Sequence, residues 1–149
     1  MKFSINQQDL QKSLNYCQGV IEKRSTLPIL SNVLLDVGKG KLTITATDLD
    51  LIFIHHISNI EISEQGKTTT SASIMYDIIR KFSSGKKINF SNPSENKLQL
   101  ESEKSLFNLN CISASEFPLT DENFNDNEFI IESKQFLKLL NKCKFSVSN

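Results

Sequence analysis

Residues 3–17 read Phe-Ser-Ile-Asn-Gln-Gln-Asp-Leu-Gln-Lys-Ser-Leu-Asn-Tyr-Cys, which joins a short strand to an amphipathic helix. Phe3 and Ile5 alternate with polar residues, which is typical of a half-buried strand. The apolar residues that follow recur at the spacing of one helical stripe: Leu10, Leu14, Cys17 and Ile21. This stretch therefore predicts a strand at 2–6 and a helix from about Gln8 to Glu22.

The same order of elements returns once between residue 1 and about residue 113. A Thr-rich strand at 67–71 precedes a second predicted helix from about Ser73 to Phe82. Three strand-like stretches follow each helix: 29–37, 42–47 and 51–57 after the first, and 87–91, 97–101 and 104–112 after the second. Since neither helix could cover a whole sheet alone, the pattern predicts an α+β fold with two helices packed on antiparallel sheets. The fold would contain an internal pseudo-twofold repeat of strand, helix and three strands.

Helical spacing also assigns a buried and an outward side to each predicted helix. The outward side of the first helix carries no carboxylate: Gln8, Lys12, Asn15, Gly19 and Lys23. The apolar side of the second helix is predicted to contain Ile74, Met75, Ile78 and Phe82. Its outward side would contain Ser73, Tyr76 and Arg80, with Asp77 to one side. From this pattern alone, the outward sides could face a phosphate backbone or only solvent.

A second repeat, with a longer period, links the two ends of the chain. Phe129 lies 126 residues after Phe3, and 129–143 can be laid on 3–17 without a gap. Six paired positions are identical: Phe3/Phe129, Ile5/Ile131, Lys12/Lys138, Leu14/Leu140, Asn15/Asn141 and Cys17/Cys143. The chain is predicted to hold a domain at 1–117, an acidic linker at 118–126 and a truncated second domain start at 127–149. The apolar face of the last helix would lack a full core: Phe136, Leu139, Leu140 and Cys143.

The charge of the chain is balanced, with 17 basic and 17 acidic residues. A surface for nucleic acid would therefore have to be one local face. No apolar run reaches the ~18–20 residues that a membrane span needs, and no signal region opens the chain, so a cytoplasmic location without a membrane partner is expected. The three cysteines form no Cys-x-x-Cys pair, and buried free thiols are expected rather than a disulfide or zinc site. No metal or other cofactor is expected.

Four short stretches occur in order along the chain: Met1-Lys2-Phe3, Arg24-Ser25-Thr26-Leu27-Pro28-Ile29-Leu30-Ser31-Asn32, Thr47-Asp48-Leu49-Asp50 and Glu116-Phe117-Pro118. Together they resemble the bacterial sliding clamp family, the beta subunit of DNA polymerase III. None of the four is specific alone, but four in this order at plausible spacing are.

The resemblance implies a DNA clamp fold and a non-enzymatic accessory subunit of the DNA polymerase III holoenzyme, a processivity factor. Family members carry three such domains in a row, and two chains close head to tail into a ring-shaped homodimer around double-stranded DNA. This chain would be domain one and the start of domain two. The pocket for DNA polymerase III and clamp-loader subunits would lie between domains two and three, beyond Asn149.

The site residues follow from the resemblance together with the outward helix faces. Arg24 matches a basic DNA-contacting position of the family and is the first candidate phosphate contact, followed by Lys12 and Arg80. Ser73 stands where the family commonly has a basic residue, so binding would be weaker at that point because a hydroxyl adds no charge. Phe107 and Leu109 match a strand that pairs with the next subunit in the family, but they could equally be core residues.

Two other functions remain open at the level of sequence. Asp48 and Asp50 are two residues apart and could bind a metal in a nuclease, although a turn between strands is the simpler interpretation. His55 and His56 would point to opposite faces of a strand and form a poor chelate. The chain could also be a protein-interaction module that does not bind DNA.

Overall fold

The computed structural model describes residues 1–21, 27–118 and 130–147. The chain divides into two compact units, Met1–Pro118 and Leu119–Asn149. The finer division into a domain, an acidic linker and a second domain start stays a prediction, since most of the linker lies outside the described residues. Within the described residues, no helix is long and apolar enough to cross a membrane.

Among its described residues, the first unit contains two α-helices, two short 3-10 helices (Pro28–Ser31 and Ala114–Glu116) and one antiparallel sheet of nine strands. The strands are β1 (Lys2–Asn6), β2 (Asn32–Gly38), β3 (Lys41–Thr47), β4 (Ile52–Ile57), β5 (Ile60–Glu64), β6 (Gly66–Ser71), β7 (Lys87–Ser94), β8 (Lys97–Ser102) and β9 (Ser105–Ile112). The α-helices are α1 (Gln7–Cys17) and α2 (Ala72–Ile79). The strand order is β4-β3-β2-β6-β9-β8-β7-β1-β5. The predicted α+β fold is confirmed.

The predicted pseudo-twofold repeat has its two halves interlocked. The first half runs β1, α1, β2, β3 and β4, and the second runs β6, α2, β7, β8 and β9. The first strand of each half pairs with the three-stranded group of the other: β1 pairs with β7, and β6 pairs with β2. Phe3 and Phe90 are register partners across the β1–β7 pair, and their rings stack with centroids 4.7 Å apart. Neither half can therefore complete its sheet without the other.

Strand β5 was not predicted from the sequence. It pairs with β1, with Ile5 opposite Ile60, and it is the last strand at one edge of the sheet. The signal was present, because Ile60 and Ile62 alternate with polar residues. The stretch is only five residues long, which makes such an alternation easy to miss.

Helix α1 begins and packs as its sequence predicts, but it ends at Cys17, earlier than expected. Asn6 caps it, since its side chain accepts a hydrogen bond from the backbone N–H of Gln8. The stripe of Leu10, Leu14 and Cys17 is fully buried. Turns follow directly, and Gly19, a poor helix former, lies among them.

The buried side of α2 differs from the predicted one. Ala72, Met75 and Ile79 form its buried stripe, whereas Ile74 is 54% exposed. The prediction for Ile74 was wrong because the helix is turned by about one residue, or roughly 100°, from the orientation assumed from its apolar residues. Ile78 and Phe82 are only partly buried against the core.

The second unit is described from residue 130 to 147. Its helix α3 (Ser133–Cys143) occupies the residues that lie 126 positions after α1. The 126-residue repeat also implied a strand before this helix, as β1 precedes α1, but no strand forms at Ile130 and Ile131, since the described residues of this unit offer none to pair with them. Phe129 lies outside the described residues. The apolar side chains of α3 are exposed, as expected for a helix without a full core: Phe136, Leu137, Leu139 and Leu140.

Cysteine reactivity gives a direct test of this packing. Cys17 and Cys111 are buried and Cys143 is exposed, so the expectation of buried thiols was wrong for Cys143, whose helix has no covering strand among the residues that the structure describes. Burial raises the pKa of the Cys17 thiol to about 12 and also raises the pKa of the Cys111 thiol. Because the thiolate is the reactive form, we expect iodoacetamide at mildly alkaline pH to label Cys143 at least about tenfold faster than Cys17. Mass spectrometry with and without urea measures this, and equal rates in the folded chain would contradict the packing.

Candidate nucleic-acid interface

The two helices of the first unit lie side by side and run in opposite directions. The start of α1 contacts the end of α2, where Gln7 Nε2 donates to the Ile79 carbonyl oxygen at 2.9 Å. Farther along α1, the Tyr76 hydroxyl donates to Asn15 Oδ1 at 3.1 Å. The bond at Gln7 is buried and the bond at Asn15 is exposed. The two helices are therefore hydrogen-bonded to each other both in the interior and at the surface. Their outward sides therefore form one surface.

The outward row of α1 is free of carboxylates, as predicted. Gln8, Lys12 and Asn15 are all exposed. Asp9 is half-buried, and its Oδ2 accepts a hydrogen bond of 3.4 Å from Asn59 in the connection between β4 and β5. The charge on this row is therefore the ammonium group of Lys12.

The outward row of α2 is less basic than its sequence suggests, because Asp77 is exposed there whereas Tyr76, which was predicted to face outward, is half-buried. Ser73 is half-buried near the start of the helix, with its Oγ 3.3 Å from Ser71 Oγ. Arg80 is exposed at the other end, and its Nε lies 3.3 Å from a carboxylate oxygen of Asp77. Both of these side chains are more than half exposed, so the pair contributes little to stability and a phosphate could replace the carboxylate. Three predicted contacts, Lys12, Ser73 and Arg80, thus lie on the paired helices.

Arg24, the first candidate from the sequence, falls outside the described residues. Its role as a phosphate contact stays a prediction.

Strand β9 has an open edge next to the second helix. It pairs with β8 from Ser105 to Asn110, but its pairing with β6 is limited to Cys111 and Ile112. The Asn110 carbonyl accepts from the Thr70 side chain and therefore points toward β6, whereas the Cys111 N–H points to Asn96 on the β8 side. Since backbone groups alternate along a strand, those of Leu106 and Asn108 point to the open edge. Within the described part of the chain, no strand is paired with this edge.

The two predicted interface residues on β9 have different surroundings. Phe107 is 38% exposed, and its ring meets that of Phe82 edge-on with centroids 5.7 Å apart. Leu109 is only 7% exposed and belongs to the core. Leu109 is therefore a core residue, whereas the Phe107 side chain is partly exposed beside the open edge.

The carboxylates considered for a nuclease lie in a turn. Asp48 Oδ1 accepts the backbone N–H groups of Asp50 and Leu51, at 3.1 and 2.6 Å, between β3 and β4. His55 and His56 face opposite sides of β4, since His55 contacts Ser13 of α1 and His56 contacts Thr43 of β3. Across 1–21, 27–118 and 130–147, no group of three or more His, Cys, Asp or Glu side chains is arranged to hold a metal ion. The turn interpretation of Asp48 and Asp50 is confirmed.

These features define the first unit as a domain of the DNA clamp fold, with a doubled strand-helix-three-strand repeat and two helices on one side of an antiparallel sheet. The chain belongs to the DNA polymerase III beta subunit family: the sequence model of that family's N-terminal domain matches residues 1–121.

Individual relatives agree with this assignment. The beta sliding clamp of Caulobacter vibrioides strain NA1000 is 32% identical over 149 residues, covering 99% of this chain and 40% of that protein. The beta sliding clamp of Escherichia coli K12 is also 32% identical, with 100% of this chain and 40% of that protein covered. Among solved structures, Caulobacter crescentus pol III beta matches with a TM-score of 0.92 at 32% identity, over 100% of this chain and 40% of that one. The chain thus spans about 40% of the length of these relatives.

Proposed function

We propose that this chain is the N-terminal part of a processivity factor, the sliding clamp of a bacterial replicative DNA polymerase. The protein would encircle duplex DNA as a ring-shaped homodimer and would carry out no chemistry itself. The observation that carries the proposal is the common surface of α1 and α2, where Lys12 and Arg80 lie on paired helices of a clamp domain. Family membership and the relatives' names, beta sliding clamp, support it.

The surface would bind DNA through its phosphates. Such contacts carry no base information, so the protein could hold the duplex without stopping at any sequence. Lys12 and Arg80 would contribute charge, Ser73 a single neutral hydrogen bond, and Arg24 a further charge from the segment after α1. A closed ring would prevent escape, so each contact can remain weak and allow sliding.

The open edge of β9 would form a joint of the ring. A strand of a second copy could add to the backbone groups of Leu106 and Asn108, while Phe107 would provide an apolar contact beside them. Leu109 would support this edge from within the core.

The remaining partners would bind outside this chain. DNA polymerase III and clamp-loader subunits would dock on a pocket between domains two and three, in the part of the relatives that this chain does not cover. The protein would act in the cytoplasm, without a cofactor and without a membrane partner.

Replacing Lys12 with alanine tests the phosphate-binding surface. We expect the slope of log affinity against log salt to fall by about one for a short DNA duplex, because one lysine–phosphate contact and its counterion release are lost. Fluorescence anisotropy over a salt series, with duplexes of different sequence, measures the slope and its independence of sequence.

Lys2→Ala is the matched control for this measurement. Lys2 is an exposed lysine on β1, and it points away from the helices because its neighbour Phe3 is buried on the helix side. We expect it to leave the slope unchanged. Equal effects of the two substitutions would argue against the helix surface, and no salt-dependent binding at all would favour an interaction module.

A further inference from the structure

The only hydrogen bond described between a side chain of α1 and a side chain of α2 joins Tyr76 to Asn15. The Tyr76 hydroxyl donates to Asn15 Oδ1 at 3.1 Å. Asn15 is exposed and lies three residues after Lys12, so the two side chains are neighbours on one face of α1. Tyr76 is half-buried and lies between Ser73 and Arg80 on α2. The bond therefore lies in the middle of the candidate DNA-binding surface.

This bond determines which end of the Asn15 amide is available. A carboxamide has one acceptor oxygen and one nitrogen with two donor hydrogens. Tyr76 occupies the oxygen, and no described residue accepts a hydrogen bond from the NH₂ group. The side chain thus presents two neutral donors on the surface that carries Lys12.

We infer that Asn15 is a neutral phosphate-binding residue of this surface, and that Tyr76 is the positioning residue that orients its donors. The inference rests on the proposed function and adds to it two residues and a type of contact. An amide donor binds phosphate oxygen without reading a base, as a sliding protein requires. It also adds binding where charge is scarce, since Ser73 is neutral and Arg80 is paired with Asp77.

Duplex binding by Asn15 variants of the chain tests the inference. We expect Asn15→Ala to weaken binding about fivefold to tenfold, since a hydrogen bond to a charged group is lost. Its salt slope should stay unchanged, because no charge is removed. Asn15→Asp should weaken binding more strongly, since it keeps the acceptor for Tyr76 but replaces both donors with negative charge. Asn89→Ala is the control, an exposed amide on β7 between the buried residues Ile88 and Phe90.

The positioning role of Tyr76 needs its own readout. Tyr76→Phe should weaken binding about twofold to threefold on its own, as expected for a neutral hydrogen bond that orients a partner. In a chain that already carries Asn15→Ala it should have no further effect, because Tyr76 acts only through Asn15. The NMR signals of the Asn15 side-chain amide should shift when duplex is added, and Tyr76→Phe should reduce that shift.

The outcomes separate this inference from the proposed function. If Lys12→Ala lowers the salt slope while both Asn15 variants bind like the unmodified chain, the inference is overturned and the proposed function stands. If the unmodified chain shows no salt-dependent duplex binding, both are overturned. Additive losses from Tyr76→Phe and Asn15→Ala would overturn the positioning role.

Discussion

Replacing Asn108 with proline, in a chain extended to the three domains of the proposed clamp, is expected to weaken the association of two copies by at least about 100-fold. The backbone N–H of Asn108 points to the open edge of β9, away from β8, so proline removes a donor that an added strand would use. The proline ring would also keep that strand at a distance. The pairing of β9 with β8 should survive, since edge strands tolerate proline where the N–H is not paired within the sheet.

Asn108→Ala is the matched control, because it removes the same side chain and keeps the backbone donor. Sedimentation velocity over a dilution series of the three-domain chain measures the dissociation constant, and a melting curve checks that the fold is intact. We expect the alanine variant to associate within about threefold of the unmodified protein. Unchanged association of the proline variant would show that the ring joint is not formed by strand addition at β9.

Replacing Phe90 with alanine is expected to lower the free energy of unfolding by about 3–5 kcal/mol. Phe90 is 1% exposed, and its ring stacks on Phe3 at an interplanar angle of 6°. The pair lies across β1 and β7, where the first half of the repeat completes the sheet of the second. Truncation therefore leaves a cavity at the junction of the two halves, and urea unfolding followed by circular dichroism measures its cost.

Phe107→Ala distinguishes burial from aromatic content. Phe107 is 38% exposed, so it loses less buried apolar surface on truncation, and we expect a cost of about 1 kcal/mol. Under the proposed function the same variant should weaken chain association, whereas Phe90→Ala should act on stability. A cost below about 1 kcal/mol for Phe90→Ala would mean that the two halves do not depend on this stack.

Helical periodicity predicted the buried face of α1 correctly and that of α2 only in part. Leu10, Leu14 and Cys17 share one buried face of α1, and the outward residues Lys12 and Asn15 were correctly placed from spacing alone. In α2 the apolar residues surround more than half of the helix, so spacing could not determine its rotation and Ile74 was assigned to the wrong side. The sequence of a helix predicts which side is buried only when its apolar residues form a narrow stripe.

The candidate site was partly predictable for the same reason. Lys12, Ser73 and Arg80 were proposed from helix faces and family resemblance, and the antiparallel packing of α1 and α2 brings their helices together. The ion pair between Arg80 and Asp77 changes the charge of that surface, yet a separation of three residues only makes such a pair possible. Nothing in the order of residues indicated that Tyr76 would bond to Asn15, 61 positions away.

By itself, the sequence determined the elements that depend on neighbours within a few residues: strand β1 followed by α1, the doubled order of elements, and the helix that recurs at 133–143. Only the tertiary structure decided which strands β1 and β6 pair with, that β5 forms one edge of the sheet, and that part of one side of β9 has no described partner strand. The physical reason is the separation along the chain of the residues that interact. Local periodicity is set by backbone geometry within one segment, whereas strand partners are chosen by the burial of distant side chains against one another.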